Sequence, residues 1–199
     1  MQQHRRLLQH ILERVDWIRD IHFQTKTTID TLDYSGTGIN QGSKVVIAAV
    51  GDPKRSLCDI TPIKNSELVF PGVIAYNFNA FTDYETAEKE IEVLSTYLTT
   101  QNLKGVMLIV LADDASFVAE QINNFLWTTF TRSNPAKDIY GVDSSTTHKH
   151  WGCKGPLIID ARIKPHNAPA LIKDSEIEKR VDKLFDNGGS LFDIINKVN

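Results

Sequence analysis

The chain has 199 residues, 41% of them apolar and 24% charged, and a net charge of −3. That length suits one α/β domain, or a domain with a small appendage. The acidic balance gives no electrostatic case for a nucleic-acid partner, and two cysteines, Cys58 and Cys153, make no disulfide framework and fit a reducing cytosol.

The opening residues include Arg5 and Arg6, but the apolar run after them is broken by Gln9, His10, Glu13 and Arg14. No signal peptide is expected from this pattern, and no apolar run reaches the ~18–20 residues a membrane span needs. The expected location is cytoplasmic. Leu7, Leu8, Ile11, Leu12 and Val15 follow helical spacing, so a helix is expected near residues 3–15. Ile18–Phe23 alternates weakly, as a short strand would, and residues 24–43 have no period and read as a long loop.

Within that loop, Gly36-Thr37-Gly38-Ile39-Asn40-Gln41-Gly42-Ser43-Lys44 has glycines that let a backbone approach an anion. Its spacing is one residue longer than the dinucleotide fingerprint, and it leads into a strand where that fingerprint opens a helix. It is not a Walker A sequence either. A linker or turn and an anion-contacting loop are the two readings.

Lys44–Val50 is an apolar strand ended by Gly51-Asp52-Pro53, and Val69–Phe78 contains another, preceded or bent by Pro71-Gly72. Thr82 and Glu85 form a capping box for a helix with Tyr84, Ala87, Ile91, Leu94 and Leu98 on one face. Gly105–Leu111 reads as a strand covered on both faces. Asp113-Asp114 follow it, where paired carboxylates can share a proton or bind magnesium. The preferred reading is a solvated turn, with Ser116 capping a helix whose Val118, Ile122, Phe125, Leu126 and Phe130 face inward.

Ile139–Val142 and Leu157–Ile159 supply further strands. Between them His148-x-His150-x-x-Cys153 has zinc-type ligands but lacks a second cluster, so a polar loop anchored by Trp151 is preferred. One helix carries Ile177, Val181, Leu184 and Phe185. Another, after Gly188-Gly189, carries Leu191, Ile194, Ile195 and Val198. The alternation from Val69 to Val142 predicts an α/β fold: a single domain with a mixed or mostly parallel sheet and helices on both faces. Arg132, at a helix end, and Asp160, at a strand end, are read as a structural pair able to satisfy one another or nearby backbone.

Two blocks add to this. Trp127, Thr131, Arg132, Pro135 and Asp138 have the order Trp-x-x-x-Thr-Arg-x-x-Pro-x-x-Asp, and Lys154, Asp160, Ala161 and Lys164 follow. They resemble the C-terminal region of UbiD-like decarboxylases, carboxy-lyases that use prenylated FMN. The likeness runs from about Ile18 to Phe185, and Arg162 stands where the family often has Thr.

The resemblance implies that residues 1–199 are the C-terminal α/β domain of such an enzyme, with an N-terminal helix in residues 1–17 and a C-terminal helix in residues 187–199. It implies a domain that lines part of the substrate cleft and helps build a homo-oligomer, acting on aromatic or unsaturated carboxylic acids. A flavin-binding partner domain, in cis or as a separate subunit, would hold prenylated FMN, a divalent metal and the acid–base groups. The resemblance further implies that the cofactor would supply the carbon chemistry of CO2 loss and that a glutamate of the partner domain would return the proton. This chain would then carry no catalytic residue and no metal ligand, and would bind no cofactor alone. Lys44, which matches a family lysine that reaches the flavin phosphate, is the one cofactor contact carried over. The alternative is a stand-alone ligand-binding or assembly domain without catalysis.

Overall fold

The computed structural model describes residues 2–33, 35–36, 38–57, 62–168 and 174–192. Cys58, Thr37 and the stripe Ile194, Ile195 and Val198 lie outside the described residues. In chain order the elements are α1 (Gln2–Arg14), β1 (Ile21–Thr27), β2 (Gly42–Ile47), β3 (Ser66–Phe70), β4 (Val73–Asn77), α2 (Tyr84–Thr99) and β5 (Leu108–Ala112). They continue with α3 (Ala115–Glu120), α4 (Ile122–Thr131), β6 (Ile139–Gly141), β7 (Ser144–Thr147), β8 (His150–Cys153), β9 (Leu157–Asp160) and α5 (Ser175–Phe185). The chain divides into two compact units, residues 1–167 and 168–199.

The first unit is a single α/β domain built on a five-stranded mixed sheet in the order β3-β4-β5-β9-β6. β4, β5 and β9 run parallel, and β3 and β6 are antiparallel edges. The central strand β5 is buried along its whole length, which explains its unbroken apolar sequence Leu-Ile-Val-Leu-Ala. Alternation sorts the strands' side chains onto two faces. Val73, Ala75, Leu108, Val110, Leu157 and Ile159 meet Leu12, Val15, Trp17, Val118 and Phe125 on one face. Ile74, Tyr76, Ile109, Leu111 and Ile158 meet Ile91, Leu94 and Leu98 of α2 on the other. Each of those α2 side chains contributes about 1.5–3 kcal/mol by leaving water. Helices thus cover both faces, as the sequence predicts.

Several local expectations are corrected. Val69–Phe78 holds the expected strand, β4, preceded by Pro71-Gly72, but that turn, with Gly72 at φ 92°, a region open to glycine, also pairs β4 with an unexpected strand, β3, as a hairpin. Ile139–Val142 does not continue the parallel series. β6 runs antiparallel to β9, and β9 takes the third parallel place beside β5. The polar stretch between them is the β7–β8 hairpin, not a loop.

The helix after β5 is two helices, because Gln121 is extended (φ −145°, ψ 147°) and separates α3 from α4. Phe130 is 55% exposed and does not face inward. The caps also differ. Asp83, not Thr82, caps α2 by accepting from Thr86 N, and Asp114, not Ser116, caps α3 by accepting from Phe117 N. In both places the carboxylate lies immediately before the first helical residue, where its reach to the free N–H groups is best.

β1 and β2 form a separate antiparallel ribbon, with Phe23 opposite Val45 and Gln24 opposite Lys44. β1 extends to Thr27, into the stretch expected to be loop, and β2 ends at Ile47, short of Val50. Arg55 satisfies the last turn of α1 by donating to the carbonyls of Leu12 (2.8 Å) and Val15 (2.7 Å). In the second unit, α5 is capped by Asp174, which accepts from Glu176 N and Ile177 N, and it carries no buried residue.

Candidate functional site

The two sequence blocks meet at the carboxyl ends of β5 and β9, the edge where α/β sheets commonly bind ligands. There Asp160, Asp138, Arg162 and Lys164 are each 0–1% exposed. Arg162 grips Asp160 through two bonds, Nε to Oδ1 (2.9 Å) and Nη2 to Oδ2 (2.7 Å). Its Nη1 donates to Asn79 O (2.8 Å) and Glu90 Oε2 (3.2 Å), and the guanidinium lies 4.9 Å from the Phe78 ring centre and 5.5 Å from that of Phe81. Burial works to lower the Arg162 pKa, but the bonds and charge of Asp160, joined by Glu90, outweigh it and the net shift is upward.

Lys164 Nζ donates to the carbonyls of Asp160 (2.8 Å), Arg132 (3.0 Å) and Arg162 (3.3 Å). All three ammonium donors are thereby used on backbone oxygens. Asp138 Oδ1 lies 3.4 Å from Nζ and Asp160 Oδ1 lies 3.9 Å away, as charge partners. Asp138 Oδ2 accepts from Asn134 N (2.6 Å), while Oδ1 has no hydrogen-bond donor among the described residues. Burial pushes the Asp138 carboxyl up to about 6, against the pull of Lys164 and the Asn134 N–H. The Tyr84 phenol, whose buried oxygen has no hydrogen-bond partner among the described residues, is also raised, by burial and then by the charges of Asp138 and Asp160.

The expected Arg132–Asp160 pair does not form. Asp160 takes its partners from Arg162 and Lys164 on its own strand's exit. Arg132 sits 3.7 Å from Asp113 Oδ2 and its guanidinium lies 4.7 Å from the half-exposed Trp127 ring. Asp113 also accepts from Ile163 N (2.8 Å), so Asp113 and Asp114 are divided between a loop tether and a helix cap.

Sequence reasoning placed Lys164 in a block without giving it a task, and missed Glu90 and Tyr84. The available signal was local. A lysine four residues after the last residue of a buried strand can return its ammonium to that strand's end.

Ser43 is buried and its hydroxyl donates to Asn134 Oδ1 (2.5 Å) while accepting from Ala136 N (2.8 Å). This bond fastens β2 to the breaker at Asn134-Pro135. The adjacent Lys44 is exposed on the opposite face of β2. His148 lies in the β7–β8 turn, and His150 and Cys153 alternate onto opposite faces of β8, so the three cannot converge on one ion. Burial pushes the Cys153 thiol up to about 12. Trp151 does anchor this hairpin, its ring set edge-on to Phe23 at 5.5 Å.

Among the described residues no group of three or more His, Cys, Asp or Glu side chains is arranged to hold a metal. The described residues therefore do not by themselves fit a metal ion. Lys44 is exposed on β2, directly across from Gln24 of β1.

Residues 1–49, which comprise α1, β1 and the approach to and length of β2, match the family described as the 3-octaprenyl-4-hydroxybenzoate carboxy-lyase C-terminal domain. The chain is 34% identical over 161 residues to an uncharacterized protein of Chlamydia trachomatis, covering 80% of this chain and 27% of that protein. It is 29% identical over 189 residues to a protein of Chlamydia pneumoniae named as one subunit of a 4-hydroxybenzoate decarboxylase, and the match covers 89% of this chain and 30% of the relative. The chain thus spans under a third of the length of these relatives. A vanillic acid decarboxylase of Sedimentibacter hydroxybenzoicus in its open form overlaps 58% of this chain and 27% of its own, at 18% identity and a TM-score of 0.34, too slight a likeness to bear on fold or function.

Proposed function

The chain belongs to the UbiD-like 4-hydroxybenzoate decarboxylase C-terminal-domain family, and we propose that it works as the substrate-cleft and oligomerisation domain of a prenylated-FMN-dependent carboxy-lyase. Its substrates would be aromatic or unsaturated carboxylic acids, its setting the cytoplasm, and the chain alone would not turn over. The flavin, the divalent metal and the groups that move the proton would come from a partner domain, in cis or as a separate subunit. A similarity that covers 89% of this chain but 30% of a relative named as part of a decarboxylase supports this division.

The observation that carries the reading is the outer surface of β2. A two-stranded ribbon is marginal in water unless something covers it, yet Val46 is 51% exposed and shares its face with Lys44. Val50, just beyond the strand, is 72% exposed. Exposed valines near a cation suit a surface that meets a neighbouring domain and offers Lys44 to a phosphate at the seam. The buried carboxylates Asp138 and Asp160 are engaged by Lys164 and Arg162, which favours a structural use over acid–base work. Apolar residues of α5 (Ile177, Val181 and Leu184, 41–54% exposed) give the oligomerisation part its support.

Co-sedimentation with the flavin-binding portion of the same enzyme tests this. The two should migrate together, and Val46→Lys should separate them without unfolding this chain. Independent migration of the unaltered pair would defeat the proposal.

A further inference from the structure

A cleft of about 450 Å³ opens between β1, the Pro135–Ala136 breaker and the β7–β8 hairpin. Its polar lining is His22, Thr25, Lys149 and His150, against the aromatic rings of Phe23 and Trp151, and among the described residues no carboxylate lines it. In a chain with a net charge of −3, a concavity furnished with an ammonium, two imidazoles and a hydroxyl is a local reversal of sign.

The two imidazoles come from different strands, with ring centres 5.4 Å apart and planes tilted by 56°. His150 Nε2 is buried and has no hydrogen-bond partner among the described residues. A buried polar atom left unpaired costs about 1–3 kcal/mol, and a small turn of this ring toward the cleft would let a bound ligand supply the missing bond.

Two backbone features bring the other groups in. Thr25 shares a strand face with Ile21 and Phe23, which also line the cleft, and the β1–β2 register slip between Gln24 and Thr27 lies beside it. His148 and Lys149, at φ 51° and 67°, form the two-residue turn between Thr147 and His150, both in the left-handed region and neither a glycine. Such strain is held where a side chain is wanted at that place, and here it sets Lys149 at the rim.

We propose that this cleft binds a small phosphate-bearing ligand, with Lys149, His22, His150 and Thr25 around the phosphate and Trp151 and Phe23 beside the rest of the molecule. Four donors suit a phosphate's oxygens better than the pair of a carboxylate, and the dianion gains more from the ammonium. The volume fits a small ligand and not a dinucleotide. The proposal rests on neither the family reading nor Lys44, which lies on β2 and does not line the cleft.

Phosphate, phenyl phosphate and benzoate are titrated into the full chain at constant ionic strength, set with chloride, while the imidazole resonances of His22 and His150 are followed by NMR. These resonances are assigned with His22→Gln and His150→Gln. Both should move together and saturate with phosphate, and at lower concentration with phenyl phosphate. Lys149→Asn keeps a residue tolerant of the left-handed turn and should weaken binding about tenfold. Thr25→Val, remote from that turn, should weaken it by a smaller factor. Absence of a saturable shift with phosphate, saturation by benzoate at lower concentration than phenyl phosphate, or unaltered binding in both folded variants would each overturn the proposal.

Discussion

Lys164 Nζ lies 3.4 Å from Asp138 Oδ1 and donates to the carbonyls of Asp160 and Arg132, so one side chain joins β9, the end of α4 and the approach to β6. Removing the ammonium leaves two buried carboxylates and three carbonyls with reduced compensation. Lys164→Met should cost about 3–5 kcal/mol of folding stability, read from the midpoint of urea denaturation. A loss near zero would mean that the junction is not a point of cohesion.

Asp138 gives this junction a pH dependence of definite sign. Its carboxyl is raised from 3.8 to about 6 in the folded chain, so the folded state binds its proton more tightly than the unfolded state. The associated stability is fully present below about 4 and is lost as pH rises through about 6. Asp138→Asn should flatten the stability profile across that window, measured by denaturation at successive pH values. An unchanged profile contradicts the assignment.

Asp20 has the opposite sign. Its bond to Arg19, followed by an N–H donated from Asp16 and the charge of Lys54, overcomes burial and lowers its pKa from 3.8 to about 2. Stability from this group is present above about 4 and disappears as pH falls toward 2. Asp20→Asn should remove that acid limb and leave the limb due to Asp138 in place.

The helix caps give a paired test. Asp114→Ala should destabilise by about 1 kcal/mol, while Ser116→Ala, inside the first turn of α3, should change stability by less than about 0.5 kcal/mol. The reverse order would restore Ser116 as the cap.

In the β7–β8 turn, replacing His148 and Lys149 together by Asn and Gly supplies the residues that a type I′ turn favours. A gain of about 1 kcal/mol in thermal or urea denaturation is expected, together with phosphate binding in the adjacent cleft weakened about tenfold, as for Lys149→Asn.

The core was legible because its signals are periodic. The apolar run Leu108–Leu111 and the stripe Ala87, Ile91, Leu94 and Leu98 each have one physical solution, a doubly covered strand and a helix packed on it. Breaks without a residue signature were not legible. Gln121 interrupts α3–α4 with no proline or glycine, and His148-Lys149 turns a hairpin without the usual Asn-Gly. The site was legible in part. Both blocks were found in the sequence, but the partner of Asp160 depended on how the chain leaves β9, and Arg162 and Lys164 reach it before Arg132 can. His22 gave no warning, since its ring lies against that of a neighbour 128 residues away, His150.

The most direct measurement of the central claim is CO2 release from aromatic carboxylic acids by this chain alone, by the flavin-binding portion alone, and by the two together, with prenylated FMN and a divalent metal supplied throughout. Release should require the mixture, and Lys44→Ala in this chain should reduce it. Release by this chain alone, or none from a mixture that co-sediments, would contradict the account.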